Sequence, residues 1–229
     1  VNPHVRATAG EFLGSAGLTV VVVGSGIAAQ RLSPGDTGLQ LFENAFATAL
    51  GLAVLILVFA TVSGSHFNPV VTLVDIALHR RRLSVAARYV PAQVIGCIAG
   101  AVLANVMFAA PAVAWSTTQR DGWPLLVSEV VATAGLIVLI FALVRTGRSA
   151  LAGPAVGAYI GAAYFFTSSS SFANPAITVG RMFTDTFAGI APASVLPFIG
   201  AQLVGAAAGW LVVRALFPVT EHVTEAAAA

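Results

Sequence analysis

The chain has 229 residues, of which 58% are hydrophobic and only 9% charged, with 11 basic against 9 acidic side chains and a mean hydropathy of +0.91. A soluble domain carries roughly 25% charged residues, so this is an integral membrane protein. The net charge of +2, every basic residue an arginine, offers no polyanion surface, and nucleic acid is not expected as a partner. The lone cysteine, Cys97, sits in an apolar run and can form no internal disulfide, so redox chemistry is not indicated.

In chain order, the N-terminus VNPHVRATAGEFLG is short and polar, and the apolar run after it exceeds a signal-peptide core and lacks a cleavage pattern, so it reads as a retained span. A spanning helix needs about 20 mostly apolar residues. Segments of that kind fall at Glu11–Ala29, Leu41–Val62, Val85–Phe108, Pro124–Val144, Ala150–Thr167 and Ala193–Phe217. Two shorter apolar segments, 68–78 and 174–183, each begin with an Asn-Pro pair: SHFNPVVT from Ser65 and SFANPAIT from Ser171. Asn is a good helix cap and Pro suits the first helical position. Asn68-Pro69 and Asn174-Pro175 therefore start helices too short to cross, which must be re-entrant and buried by protein.

Arginine sets the orientation. With six spans, Arg6, Arg80, Arg81, Arg82, Arg88, Arg145, Arg148 and Arg214 share the side of both termini, against Arg31, Arg120 and Arg181 opposite. The positive-inside rule puts the termini in the cytoplasm. Trp115, Trp123 and Trp210 lie near span ends, as interfacial aromatics do. The Ala tail after Glu225 is uninformative.

The two halves repeat. Glu11, Asn68-Pro69 and Ala92-Gln93-x-x-Gly96-x-x-x-Gly100 recur as Glu129, Asn174-Pro175 and Ala201-Gln202-x-x-Gly205-x-x-x-Gly209. Repeats of about 10–108 and 123–217, within one channel domain, each hold an odd number of spans. The second is therefore inverted and its half-helix enters from the opposite face. The expected fold is an all-α membrane protein of six transmembrane helices and two re-entrant half-helices in an inverted 3+3 repeat. The Gly96/Gly100, Gly205/Gly209 and Gly153/Gly157/Gly161 series read as close helix contacts. Glu11 and Glu129 are expected to accept hydrogen bonds from the loops entering the half-helices, in preference to a proton relay.

Two helix N-termini meeting at the midplane oppose cations but not neutral molecules. Asn68 and Asn174 would cap their own helices through oxygen and turn N–H groups to the lumen. The carbonyls of Ser65, His66, Phe67, Ser171, Phe172 and Ala173 would form a ladder of acceptors, allowed at that depth only along a cavity. The result is a channel for small uncharged polar molecules, with no reaction catalysed, no cofactor and no metal; His66 lacks partners for a metal site.

These boxes, SGSHFNPVVT and FANPAIT in inverted three-span repeats with a span Glu before and AQ-x-x-G after, resemble those of the major intrinsic proteins, the aquaporins and aquaglyceroporins. The resemblance spans nearly the whole chain. It implies passive conduction in both directions, a homotetramer with one pore per subunit in the inner (plasma) membrane, and pore boxes Asn68-Pro69-Val70 and Asn174-Pro175-Ala176. Counting without gaps, the family's filter positions fall on Thr48, Ala162, Ser171 and Ile177. The usual aromatic and Arg are absent there, and Arg181, one turn beyond Ile177, at best leans over the mouth. Val70 in place of Ala would slightly narrow or rewet the midplane. Ser171 replaces the Cys that mercurials attack.

The implied filter is wide and without Arg, passing glycerol-like polyols, metalloid acids such as arsenous acid, and water. Pro197-Phe198 resembles the glycerol-conducting branch, whereas Thr178 replaces that branch's Asp. A water-selective channel using Arg181, a structural protein with incidental conduction and a coupled transporter are the alternatives. Short loops disfavour the structural role and Gly-seamed spans disfavour the transporter.

Overall fold

A computed structural model describes residues 2–79 and 81–218, so Arg80 and the C-terminal Ala tail lie outside the described residues. The spanning helices are α1 (Pro3–Leu32), α2 (Thr37–Ser63), α4 (Ser84–Met107), α5 (Trp123–Arg145), α6 (Ala152–Phe166, led in by a 3-10 turn, Ser149–Leu151) and α8 (Pro192–Leu216). The half-helices are α3 (Pro69–His79) and α7 (Pro175–Gly180), and no strand occurs among the described residues.

Helix ends follow local chemistry. α1 begins eight residues before its apolar run because Asn2 accepts from the His4 amide and Pro3 takes the first position, a third Asn-Pro start that hydropathy passed over. Asp36 caps α2 through the Leu39 amide, and Gly64, at φ 89°, ends it in the left-handed conformation that frees the chain to turn inward. α7 is shorter than the expected 174–183, since the chain tightens into a 3-10 turn at Arg181–Phe183.

Packing repeats as the sequence does. α1 lies on α4 as α5 lies on α8, while α2 meets α6 across the two repeats. A Cβ on Gly96 or Gly100 would stand 2.4 and 2.3 Å from the Phe12 and Ala16 carbonyl oxygens. On Gly205 or Gly209 it would stand 2.5 and 2.7 Å from those of Val130 and Ala134. Phe12 and Val130 each follow their Glu by one residue, so both seams share one register. Along the third seam, a Cβ on Gly157 would approach the Ala49 oxygen to 2.4 Å. Only hydrogen fits at these crossings. The outer surface carries exposed apolar side chains, Phe42, Phe46, Leu50 and Val54 among them, suited to lipid.

Candidate functional site

The half-helices begin as their Asn-Pro pairs dictate. Asn68 Oδ1 accepts from the Val70 amide at 3.1 Å, and Asn174 Oδ1 from the Ala176 and Ile177 amides at 2.9 and 3.3 Å. The other end of each amide reaches across the repeat. Asn68 Nδ2 donates to the Ala173 carbonyl and Asn174 Nδ2 to the Phe67 carbonyl, both at 2.8 Å. One N–H of each Asn thus ties the two tips together and one remains for the lumen, where sequence reasoning gave the lumen both.

The loops leading in are held by the two carboxylates in matching fashion. Glu11 accepts from Ser63 Oγ, the His66 and Phe67 amides and Gln93 Nε2 at 2.6–3.0 Å. Glu129 accepts from Ser169 Oγ, the Phe172 and Ala173 amides and Gln202 Nε2 at 2.6–2.9 Å. Both are fully buried. Drawing successive amides to one side requires left-handed backbone at non-glycine residues: Ser65 (φ 53°), Phe67 (48°), Ser171 (48°) and Ala173 (47°). Such conformations cost about 1–3 kcal/mol each and persist only where surroundings impose them. The carbonyls are thereby turned away from the Glu. Those of Phe67 and Ala173 are taken by the Asn amides, whereas those of Ser65, His66, Ser171 and Phe172 accept no hydrogen bond among the described residues. These four are the acceptors left to a passing solute.

A single cavity runs past both tips. Its walls pair across the repeats: Leu18 and Val22 of α1 with Leu136 and Ile140 of α5, and Leu52 and Ile56 of α2 with Val156 and Ile160 of α6.

The expected filter residues divide. Thr48, Ser171 and Ile177 line the lumen, and buried Ser171 Oγ has no protein partner. Ala162 does not: it is exposed on the outer face of α6, while Ile160 and Tyr164, one turn apart, face inward. Tyr164 OH lies 3.2 Å from Thr48 Oγ1, which puts an aromatic ring where none was expected. Arg181 corrects the expectation of a lumen without Arg. Four residues after Ile177, it shares that face, lines the cavity and is 2% exposed. Its Nε donates to the Ala188 carbonyl, and its guanidinium lies 3.5 Å from the centroid of the Phe172 ring.

The other face of this arrangement was not foreseen. Arg120, from the α4–α5 connection, also lies over the Phe172 ring, at 5.0 Å, and donates to the Gly189 and Phe187 carbonyls at 2.8 and 3.2 Å. Burial lowers its pKa. Phe198 meets the same ring edge-on at 5.3 Å, which gives Pro197-Phe198 its place. Neither arginine is salt-bridged to a carboxylate among the described residues.

Val70 does not reach the midplane lumen; it is fully buried with Val71, Val74, Ile137 and Phe141. The Pro69, Pro175 and Ala176 side chains likewise stay behind the lining. His66 lines the lumen, and its ring is held by α3, with Nδ1 3.0 Å from Thr72 Oγ1 and Nε2 4.0 Å from Asp75 Oδ2. Buried Asp75 also binds His79 at 2.8 Å and Arg81 at 2.9 Å, a cluster that the i,i+4 spacing of Asp75 and His79 signals.

The family model described as Major intrinsic protein matches residues 2–173. The chain is 44% identical over 209 residues to Aquaglyceroporin AqpS of Rhizobium meliloti (strain 1021), covering 91% of this chain and 89% of the relative. It is 31% identical over 187 residues to Probable aquaporin TIP1-2 of Oryza sativa subsp. japonica, covering 76% of this chain and 73% of the relative. The X-ray structure of the aquaglyceroporin from Plasmodium falciparum superposes with a TM-score of 0.71 at 21% identity, covering 93% of this chain and 96% of that one, and shows the fold.

Proposed function

The chain belongs to the major intrinsic protein family, whose members are channels and not enzymes, and from that premise we propose a passive pore for water, glycerol-like polyols and metalloid acids such as arsenous acid. Conduction of small solutes such as water and glycerol agrees with the aquaglyceroporin relative. The finer reading rests on the mixed lining of the lumen. Polar groups, namely Asn68, Asn174, Ser171, Thr48 and free carbonyls, stand there beside the apolar Ile56, Val156, Ile160 and Ile177. A polyol has hydroxyls on one edge and carbon on the other, so it exchanges water for protein on both edges at once. Arsenous acid is a neutral trihydroxide that uses the same donors and acceptors.

Filter width depends on Arg181 being drawn aside. Held by the Ala188 carbonyl and over the Phe172 ring, its guanidinium borders the passage. With Ile177 and Ser171 beside it, we read the filter as wide. By the same reading the subunits form a homotetramer in the inner membrane with the termini inside, consistent with the arginine distribution. A water-selective channel is the second reading, favoured by Arg181 and Tyr164 in the lining.

Proteoliposomes given osmotic shocks with sorbitol, glycerol, urea and arsenous acid separate the two by light scattering. Uptake of glycerol and arsenous acid above the empty-liposome rate is expected. If only water flux rises, the water-selective reading holds and the wide filter is wrong.

A further inference from the structure

Away from the lumen, the face carrying the start of α1 and the end of α8 has a cavity with a one-signed lining. His4 of α1, His79 of α3, Arg81 and Arg82 of the α3–α4 connection, and Ser84 and Arg88 of α4 line it, and no acidic residue does so among the described residues. Asp75, which holds Arg81 and His79, leaves Arg82 and Arg88 unpaired with any carboxylate among the described residues. α4 begins at this space, with Ser84 in its lining and no side-chain cap, so the partial positive charge of its N-terminus adds to that of the arginines. The Arg88 Nε is buried and has no hydrogen-bond partner, a state that costs free energy unless a ligand completes it.

A second cavity adjoins the first. His4 and Arg88 also line a groove between α1 and α4, continued by Val5, Ala9, Phe12 and Ala92. From His4 to Phe12 it descends about 12 Å at the helical rise, from the membrane surface to the start of the apolar run of α1 at Glu11. Basic pocket above and apolar groove below share two residues and run as one surface.

We propose that this is a binding site for an anionic phospholipid, with the phosphate among Arg82, Arg88 and His4 and an acyl chain in the α1–α4 groove. Charge complementarity selects the headgroup. The groove selects a lipid over free phosphate, since an ion would leave the apolar half empty. Each arginine beside an anionic headgroup strengthens binding about fivefold.

Native mass spectrometry of delipidated protein, offered equal amounts of phosphatidylglycerol and phosphatidylcholine with identical chains, tests it. Phosphatidylglycerol should be retained about twenty-fivefold over phosphatidylcholine, fivefold for each of the two arginines. Arg82→Gln with Arg88→Gln should bring the ratio near one, whereas Arg148→Gln, on the same face outside the pocket, should leave it unchanged. Ala9→Trp, which fills the groove, should lower retention of both lipids. If the double variant fails to fold, Arg82→Gln alone, at an exposed side chain, must still lower the ratio several-fold. Equal retention of the two lipids by the unaltered protein overturns the proposal, as does an unchanged ratio in the arginine variants. Complete displacement of phosphatidylglycerol by excess inorganic phosphate overturns the lipid assignment in favour of a free-ion site.

Discussion

At the scale of single residues, the channel is decided by where two side chains end rather than where their Cα atoms lie. Arg181 leaves a 3-10 turn beyond α7 and returns to the lumen because the Phe172 ring offers it a face and Ala188 an acceptor. A buried guanidinium without a carboxylate partner is held by such contacts alone. Arg181→Ala should therefore widen the passage, raising the ratio of glycerol to water flux several-fold in proteoliposomes; an unchanged ratio would remove Arg181 from the constriction. The converse change, Ile177→Arg, should reduce glycerol flux more than water flux, and equal losses would argue against residue 177 bordering the filter. Glu129 has a different task. Its two oxygens accept four buried hydrogen bonds, and Glu129→Gln turns one acceptor into a donor facing donors. A loss of about 3 kcal/mol or more is expected, read as a markedly lower unfolding midpoint in detergent.

At the scale of elements, half-helices α3 and α7 are only 11 and 6 residues long, too short to be stable alone. They stand because each is fastened three ways: an Asn cap, a cross-tie to the other loop, and a carboxylate beneath. Their supporting spans approach closely only through glycine. Gly180 is such a place, since a Cβ there would lie 2.8 Å from the Cys97 carbonyl carbon and oxygen. Gly180→Ala must push α7 off α4 and displace the filter, so folded yield and glycerol flux should both fall. Gly200, where an added Cβ would meet nothing within 4 Å, supplies the contrast: Gly200→Ala should leave flux unchanged and stabilise by up to about 1 kcal/mol through helix propensity. Equal damage from both variants would mean that glycine matters here for flexibility and not for proximity.

At the scale of the whole molecule, the inverted repeats build one passage with closely joined walls. Three glycine seams join α1 to α4, α5 to α8 and α2 to α6, and the tips are cross-tied, which opposes rocking of one half against the other. Glycerol flux should therefore follow its own gradient alone. An imposed proton gradient or potassium diffusion potential should leave the rate within experimental scatter; a severalfold change would mark coupled transport.

The sequence by itself determined whatever depends on local chemistry or on repetition. The six spans follow from hydropathy, the half-helix starts from Asn68-Pro69 and Asn174-Pro175, and the roles of Glu11 and Glu129 from their matched order in the two halves. The tertiary structure alone decided which atoms border the lumen. Counting back from Asn174 across the 167–174 loop gave Ala162, but helical rotation turns Ile160 and Tyr164 inward and Ala162 out. Val70, adjacent to the pore box, is buried with Ile137 and Phe141, and Arg181 is drawn in by an aromatic face contributed from another loop. The reason is geometric: a cap or an apolar run is satisfied within a few residues, whereas a pore wall is assembled from eight segments whose rotations are fixed only when they pack together.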